Sequence, residues 1–240
     1  MKNQYFGDIN DFRKYGLLRT IQRESGLGIG VCWFLTADDG GVDGRLRKYL
    51  NQPSRWRHYD SELYDKLQSL LDTDVKRSVS HARTWDLVSG AAYFDELLTD
   101  SRSARLAYFD AARHVLGNCD LIFVDPDNGI EIPSTKLGAS GSSKYVYWAE
   151  LHAMYTAGHS ILVYQHFPRV VRERFIPFLA SRLNEELPAS TVVAFSTSYV
   201  VFFLVQQPRH ADALDRATRA VEQQWLGQIE VWPEGATKVA

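Results

Sequence analysis

Cysteine is nearly missing from this sequence, with two residues in 240, Cys32 and Cys119. Two thiols cannot build a disulfide framework, and both stand in apolar surroundings, so a reducing, cytoplasmic setting is expected. Long apolar runs are missing too. Nothing approaches the roughly 18 residues of a membrane span. The opening Met-Lys-Asn-Gln-Tyr-Phe-Gly-Asp has no apolar stretch of the kind a secretion signal carries, and no membrane partner is expected. Charge of one sign is not in excess: the formal net charge is −2, so any attraction for nucleic acid must come from a local basic patch. Repeats, low-complexity tracts and an interdomain linker are also lacking. What remains, 45% hydrophobic and 23% charged residues, is ordinary for a globular protein and predicts a single α/β domain over 1–240.

The densest signal is Asp120-Leu-Ile-Phe-Val-Asp125-Pro126-Asp127-Asn128-Gly129-Ile-Glu131. Four apolar residues, 121–124, run without alternation, as in a strand buried on both faces. Pro126 cannot donate to a ladder and Gly129 permits a reversal, which puts the acidic groups at the strand end. Residues 29–35 and 160–165 read as two more buried strands. Two apolar runs, 191–195 and 199–205, split by Ser196-Thr-Ser198, read as a β-hairpin. A helix is predicted over about 9–24, capped by Asp8 and stopped at Gly26. Others are predicted over about 60–72, 75–88, 101–116, 146–157, 169–183 and 209–225. Leu106, Phe109, Ala112 and Leu116 form the expected inner face of the helix at 101–116; Val171, Phe175, Phe178 and Leu179 do so at 169–183. The order predicts an α/β, Rossmann-like fold: a mainly parallel sheet, an antiparallel edge hairpin and a helical insertion over about 40–118.

In open α/β sheets ligands bind outside the carboxyl ends of the strands. Three predicted strand ends carry polar clusters: Asp38 and Asp39, then Asp125, Asp127 and Asn128, then Gln165 and His166. Neighbouring parallel strands would bring all three to one crevice. On the first helix Asp8, Asp11 and Tyr15 lie near one face, with Lys14 one turn from Asp11. Asp38, Asp125, Asp127 and Glu131 are hard oxygen donors that suit Mg²⁺ or Mn²⁺, the chemistry of a nuclease or phosphoesterase. A third reading is a non-catalytic protein that binds RNA or DNA. Arg45, Arg47, Lys48, Arg55 and Arg57 interleave with Tyr49, Trp56, His58 and Tyr59, and Arg169, Arg172 and Arg174 follow His166; cations mixed with rings suit single strands. The small residues at 138–143 are a candidate lid.

The stretch Gly7-Asp8-Ile-Asn-Asp11-Phe-Arg-Lys14-Tyr15-Gly-Leu-Leu18 has the spacing Gly-Asn-x-x-Asp-x-x-Lys-His-x-x-Leu. It resembles the amino-terminal signature of ribosomal-RNA adenine-N6 methyltransferases. In that family Asp-Pro-Pro-Tyr/Phe closes a later buried strand, where Asp125-Pro126-Asp127-Asn128 stands here. The downstream strand, helix and hairpin are similar to the class I S-adenosylmethionine-dependent methyltransferase layout, and the chain also resembles a group of bacterial and phage proteins. The likeness covers about residues 6–18 and 120–205. It implies a methyltransferase-like enzyme that uses S-adenosylmethionine and acts on nucleic acid or a nucleotide-containing substrate. On that resemblance, Asp125 and the Pro126 carbonyl orient an amine, Asn128 adds a hydrogen bond, and Asp127 and His166 complete the catalytic set. Asp11, Lys14, Tyr15, Asp38 and Asp39 bound the cofactor. Asp127 replaces the family's second proline, and Asn128 replaces the ring that stacks on a flipped base. Tyr145, Tyr147 or Trp148 is left to supply a ring, and Arg169 to contact substrate.

Overall fold

In the computed structural model, which describes residues 1–41, 44–71, 76–188 and 190–233, Asp8 starts the first helix. Its carboxylate accepts from the amides of Asn10 and Asp11 at 2.8 and 3.0 Å. The helix, α1 (Ile9–Ser25), stops at Gly26 and is followed by β1 (Ile29–Cys32). Then come the short helices α2 (Pro53–Trp56), α3 (Ser61–Gln68) and α4 (His81–Thr84), and the strand β2 (Ala92–Phe94). Helix α5 (Arg102–Leu116) leads into β3 (Leu121–Val124), and β4 (Gly129–Ile130) pairs in parallel with β5 (Tyr145–Val146) as a small separate ladder. The remaining elements are α6 (Trp148–Thr156), β6 (Ser160–His166), α7 (Arg172–Glu186), β7 (Thr191–Ser196), β8 (Val200–Gln206), α8 (Ala211–Gln224) and β9 (Glu230–Trp232).

The main sheet has seven strands in the order β2-β1-β3-β6-β8-β7-β9. The first four run parallel; β8 runs against both β6 and β7, and β9 runs against β7. The architecture is therefore the expected Rossmann-like α/β sheet with an antiparallel edge. Register sets the site. Cys32, Val124 and Val163 stand side by side on β1, β3 and β6, so the three strands end at one level. Side chains alternate between faces. Val31, Phe123 and Leu162 pack towards α1 and α8, while Cys32, Val124 and Val163 pack towards α5 and α7. One residue beyond Val124, Asp125 turns to the α1 face.

Several expectations are corrected. Within the largely helical insertion, β2 adds one short strand that was not expected and extends the parallel sheet. The helix expected over 75–88 shrinks to α4, with residues 72–75 outside the described residues. There Ser78, Thr84 and Asp86 bond to nearby backbone and compete with helix. Two predicted inner faces are rotated: Leu106 is 75% and Phe178 63% exposed, while Arg105, Tyr108, Ala112 and Leu116 on α5, and Ile176, Leu179 and Leu183 on α7, face inward. Arg105 is buried because Glu150 takes its guanidinium at both oxygens. No helix among the described residues is long and apolar enough to cross a membrane.

Candidate functional site

Lys14 is 3% exposed, and a lysine so buried needs a compensating charge. It has two. Its Nζ lies 2.7 Å from Asp11 Oδ1, one turn back on α1, and 2.7 Å from Asp125 Oδ2 at the end of β3. Burial works against the ammonium, but the Asp11 and Asp125 carboxylates outweigh it and hold the Lys14 pKa above the ordinary lysine value. Asp11 Oδ2 accepts from the Gly7 amide at 2.9 Å. Gly7 presents that amide from a φ of +82°, where an added Cβ would lie 2.5 Å from Leu70 Cδ1.

Residues 1–5 cross the strand ends beside this triad. The Met1 amino nitrogen lies 3.2 Å from the carbonyl oxygens of Phe34 and Asp125 and in ion-pair contact with Asp127. Lys2 pairs with Asp39 and stands 4.0 Å from Asp127 Oδ2, and the Gln4 amide donates to Asp38 Oδ1 at 3.1 Å. The Lys2 ammonium holds Asp39 below the usual carboxylate range.

A cavity of about 50 Å³ lies between these groups, lined by Met1, Tyr5, Asp8, Asn10, Asp11 and Lys14 on one side and Asp125, Pro126, Asp127 and Tyr164 on the other. Its lining mixes carboxylate acceptors with the Met1 and Lys14 ammonium groups. Asn10 Oδ1 is buried without a partner. Burial first, then the Asp11 charge, pushes the Asp8 carboxyl up to about 7. Desolvation and the Asp125 and Asp8 charges push the Tyr164 phenol well above its ordinary value, so it stays neutral. The unpartnered Asn10 Oδ1 is the acceptor there that an added amino group could meet.

The predicted site residues separate into groups. Asp11, Lys14, Asp125, Pro126 and Asp127 meet at the cavity. Tyr15 does not: it lies in the core, edge-on to Trp33, and its hydroxyl has no hydrogen-bond partner. Asp38 and Asp39 sit on the exposed loop after β1 and hold residues 2–4. Asn128 ties β4 to β6 through its backbone, accepting from Gln165 Nε2 and the His166 amide. His166 and Arg169 line a separate open cleft, with His166 exposed. Tyr145 is in β5, its carbonyl bonded to Arg105 at 2.7 Å, away from the cavity.

The carboxylates of the metal reading are likewise dispersed. Glu131 accepts from the Trp148 amide at 2.8 Å and so starts α6, while Asp38 is taken by Gln4. Among the described residues no three His, Cys, Asp or Glu side chains form a group that could hold a metal ion. The 138–143 stretch is no lid over the cavity. Asp100 accepts from the amides of Gly141 and Ser143, and Arg105 donates to the Ser142 carbonyl, which pins the loop against α5. Most rings of the 45–59 segment are structural: Tyr49 and Trp56 are core residues, and Tyr59 stacks on Trp225. Sequence reading missed Asn10 and Tyr164. Tyr164 had a signal, since it lies two residues before His166 on the same strand face. No protein-family model matches the chain, and a search of curated proteins returns no match.

Proposed function

We propose that the chain is an S-adenosylmethionine-dependent, methyltransferase-like enzyme acting on nucleic acid or a nucleotide-containing substrate. One observation carries the reading. The two stretches that bear the resemblance, around Lys14 and around Asp125, lie 111 positions apart and meet in a 2.7 Å contact. The cavity they share holds an unpartnered acceptor, Asn10 Oδ1, that an amine could meet. In this reading Asp125, held in place by Lys14, presents its free oxygen to the amine, and the Pro126 carbonyl offers a second acceptor. Lys14 offsets the clustered negative charge of Asp11 and Asp125. Asp8, titrating near neutral pH, exchanges a proton at the cavity wall. The cofactor, when bound, supplies an electrophilic methyl group.

Asn10 Oδ1 could meet an amino group, but about 50 Å³ does not hold a whole nucleoside cofactor; small-molecule sites run to about 300–1,000 Å³. In this reading the cofactor takes the ground that residues 1–5 cross at the ends of β1 and β3, so binding entails their displacement. Titration calorimetry with S-adenosylmethionine tests the reading. The wild type is expected to bind and Asp38→Ala, an exposed change that removes the bond holding Gln4 across the strand ends, to bind at least as tightly. Transfer of labelled methyl to RNA and DNA oligonucleotides is expected to vanish in Asp125→Asn. A wild type that gives no heat and transfers no label would sink the proposal.

A further inference from the structure

A second hollow opens on the same face of the sheet. Tyr164 and His166 are two residues apart on β6 and so point to one face; Tyr164 lines the carboxylate cavity and His166 lines an open cleft of about 600 Å³. The cleft is walled by residues 166–172 and by Ser198 and Tyr199 of the hairpin turn. Its charged lining is Arg169 and Arg172, with no carboxylate. Helix α7 begins at Arg172 without a side-chain cap, so the positive end of its dipole lies at the same wall.

Arginine and rings alternate from this cleft inward towards α1 and Trp56. The Arg172 guanidinium lies 4.4 Å from the Phe167 ring centre and donates to the Ser198 carbonyl at 2.7 Å. Arg13 of α1 stands between Tyr199 and Trp56, at 5.9 and 5.7 Å, and Arg55 lies 5.4 Å from Trp56. Arg13 is only 6% exposed, yet its hydrogen-bond partners are neutral, Ser198 Oγ and Gln228 Oε1, and its Nε has none. Among the described residues Arg13 makes no ion pair, although the Asp8 carboxylate acts on it at longer range. Tyr199 is 46% exposed and is the ring this surface offers to a ligand. Beneath the surface, Arg13 and Trp56 link Tyr199 to Arg55.

We propose that this cleft is a docking track for single-stranded nucleic acid, with a base stacked on Tyr199 and phosphates against Arg169 and Arg172. A duplex keeps its bases stacked inside and offers an exposed tyrosine face little, whereas a single strand gives it a π-face at every nucleotide. The inference rests on the methyl-transfer reading only for its direction: a strand crossing Tyr199 passes His166 and reaches the cavity at Tyr164. Binding along the track does not need that reading.

The test is fluorescence anisotropy of the full chain with labelled 12-nucleotide RNA and DNA of one sequence, as single strands and as duplexes. Single strands are expected to bind more tightly than duplexes. Tyr199→Ala is expected to weaken binding by roughly five- to a hundredfold and Tyr199→Phe to restore it, as stacking requires. Arg169→Ala should make the salt dependence shallower by about one ion. Both positions are exposed, and an unchanged melting temperature separates lost binding from lost folding. Affinity within about twofold of wild type in Tyr199→Ala, or duplexes bound as tightly as single strands, overturns the track, as does a salt-insensitive association characteristic of an apolar protein contact. The two readings fail separately. Cofactor heat without strand binding removes the track and leaves methyl transfer; strand binding that depends on Tyr199 without cofactor heat removes methyl transfer and leaves the track.

Discussion

At the scale of single residues the site is an argument about charge. Asp11 and Asp125 make a buried Lys14 tolerable, and removing the lysine would leave two carboxylates uncompensated, which costs about 3–5 kcal/mol in buried pairs. Asp8 is the group whose charge the fold resists. It is buried at the cavity wall, and its carboxyl titrates near 7 in the folded chain against 3.8 for an ordinary aspartate. Between those values the unfolded chain has released the proton that the folded chain still holds. Stability contributed by this group is therefore present at acid pH, falls as pH rises through the window, and is level above about 7. Asparagine caps a helix as well as aspartate does, so Asp8→Asn keeps the bonds to Asn10 and Asp11 and loses the titration. Thermal melting across about pH 4 to 8 should show the gap between variant and wild type widening in favour of the variant. Parallel melting curves would show that the Asp8 charge is not resisted.

At the scale of elements, α1 carries the site because it is clamped against α8. A Cβ on Gly16 would lie 1.9 Å from Trp225 Cζ2, while the Trp225 indole donates to Thr20 Oγ1 at 3.1 Å. Gly16→Ala must push the two helices apart or turn the indole, and overpacking of this kind costs about 1–3 kcal/mol. Chemical denaturation should report a loss in that range, and because Lys14 is two residues away, the proposed S-adenosylmethionine affinity should fall as well. Full stability in Gly16→Ala would mean that the indole relaxes freely. Helix α1 was legible in the sequence from its cap to its stop, since Asp8 and Gly26 act locally. The inner face of α5 was not. Periodicity assigned Leu106 inward, but the bidentate Arg105–Glu150 contact draws a charged residue in and turns the leucine out. Strand β2 was hidden for a different reason: three residues give periodicity too little length, and its pairing with β1 is non-local.

At the scale of the whole molecule, three strands ending at one level explain why distant residues meet, and also why they do not all meet. Asp38, Asp125 and His166 lie at one end of the sheet, as strand order alone suggested, but alternation sends Asp125 to α1, the loop after β1 carries Asp38 outward, and His166, the last residue of β6, opens into a separate cleft. Two segments far apart in sequence, 1–5 and 125–127, then close over the edge together. The Thr36 amide donates to the Met1 carbonyl at 2.9 Å and the Gln4 amide to Asp38 at 3.1 Å, whereas the Asp125 amide donates to Cys32 within the strand ladder. If cofactor takes the ground that residues 1–5 occupy, the first two bonds break and the third survives. Hydrogen exchange read by mass spectrometry at saturating S-adenosylmethionine should then show faster exchange at Gln4 and Thr36, by roughly tenfold or more, with the β3 amides unchanged, since local opening exposes only the bonds it breaks. Cofactor binding that leaves residues 1–5 equally protected, or protects them further, would place the cofactor elsewhere on the molecule and make this segment a permanent wall of the cavity.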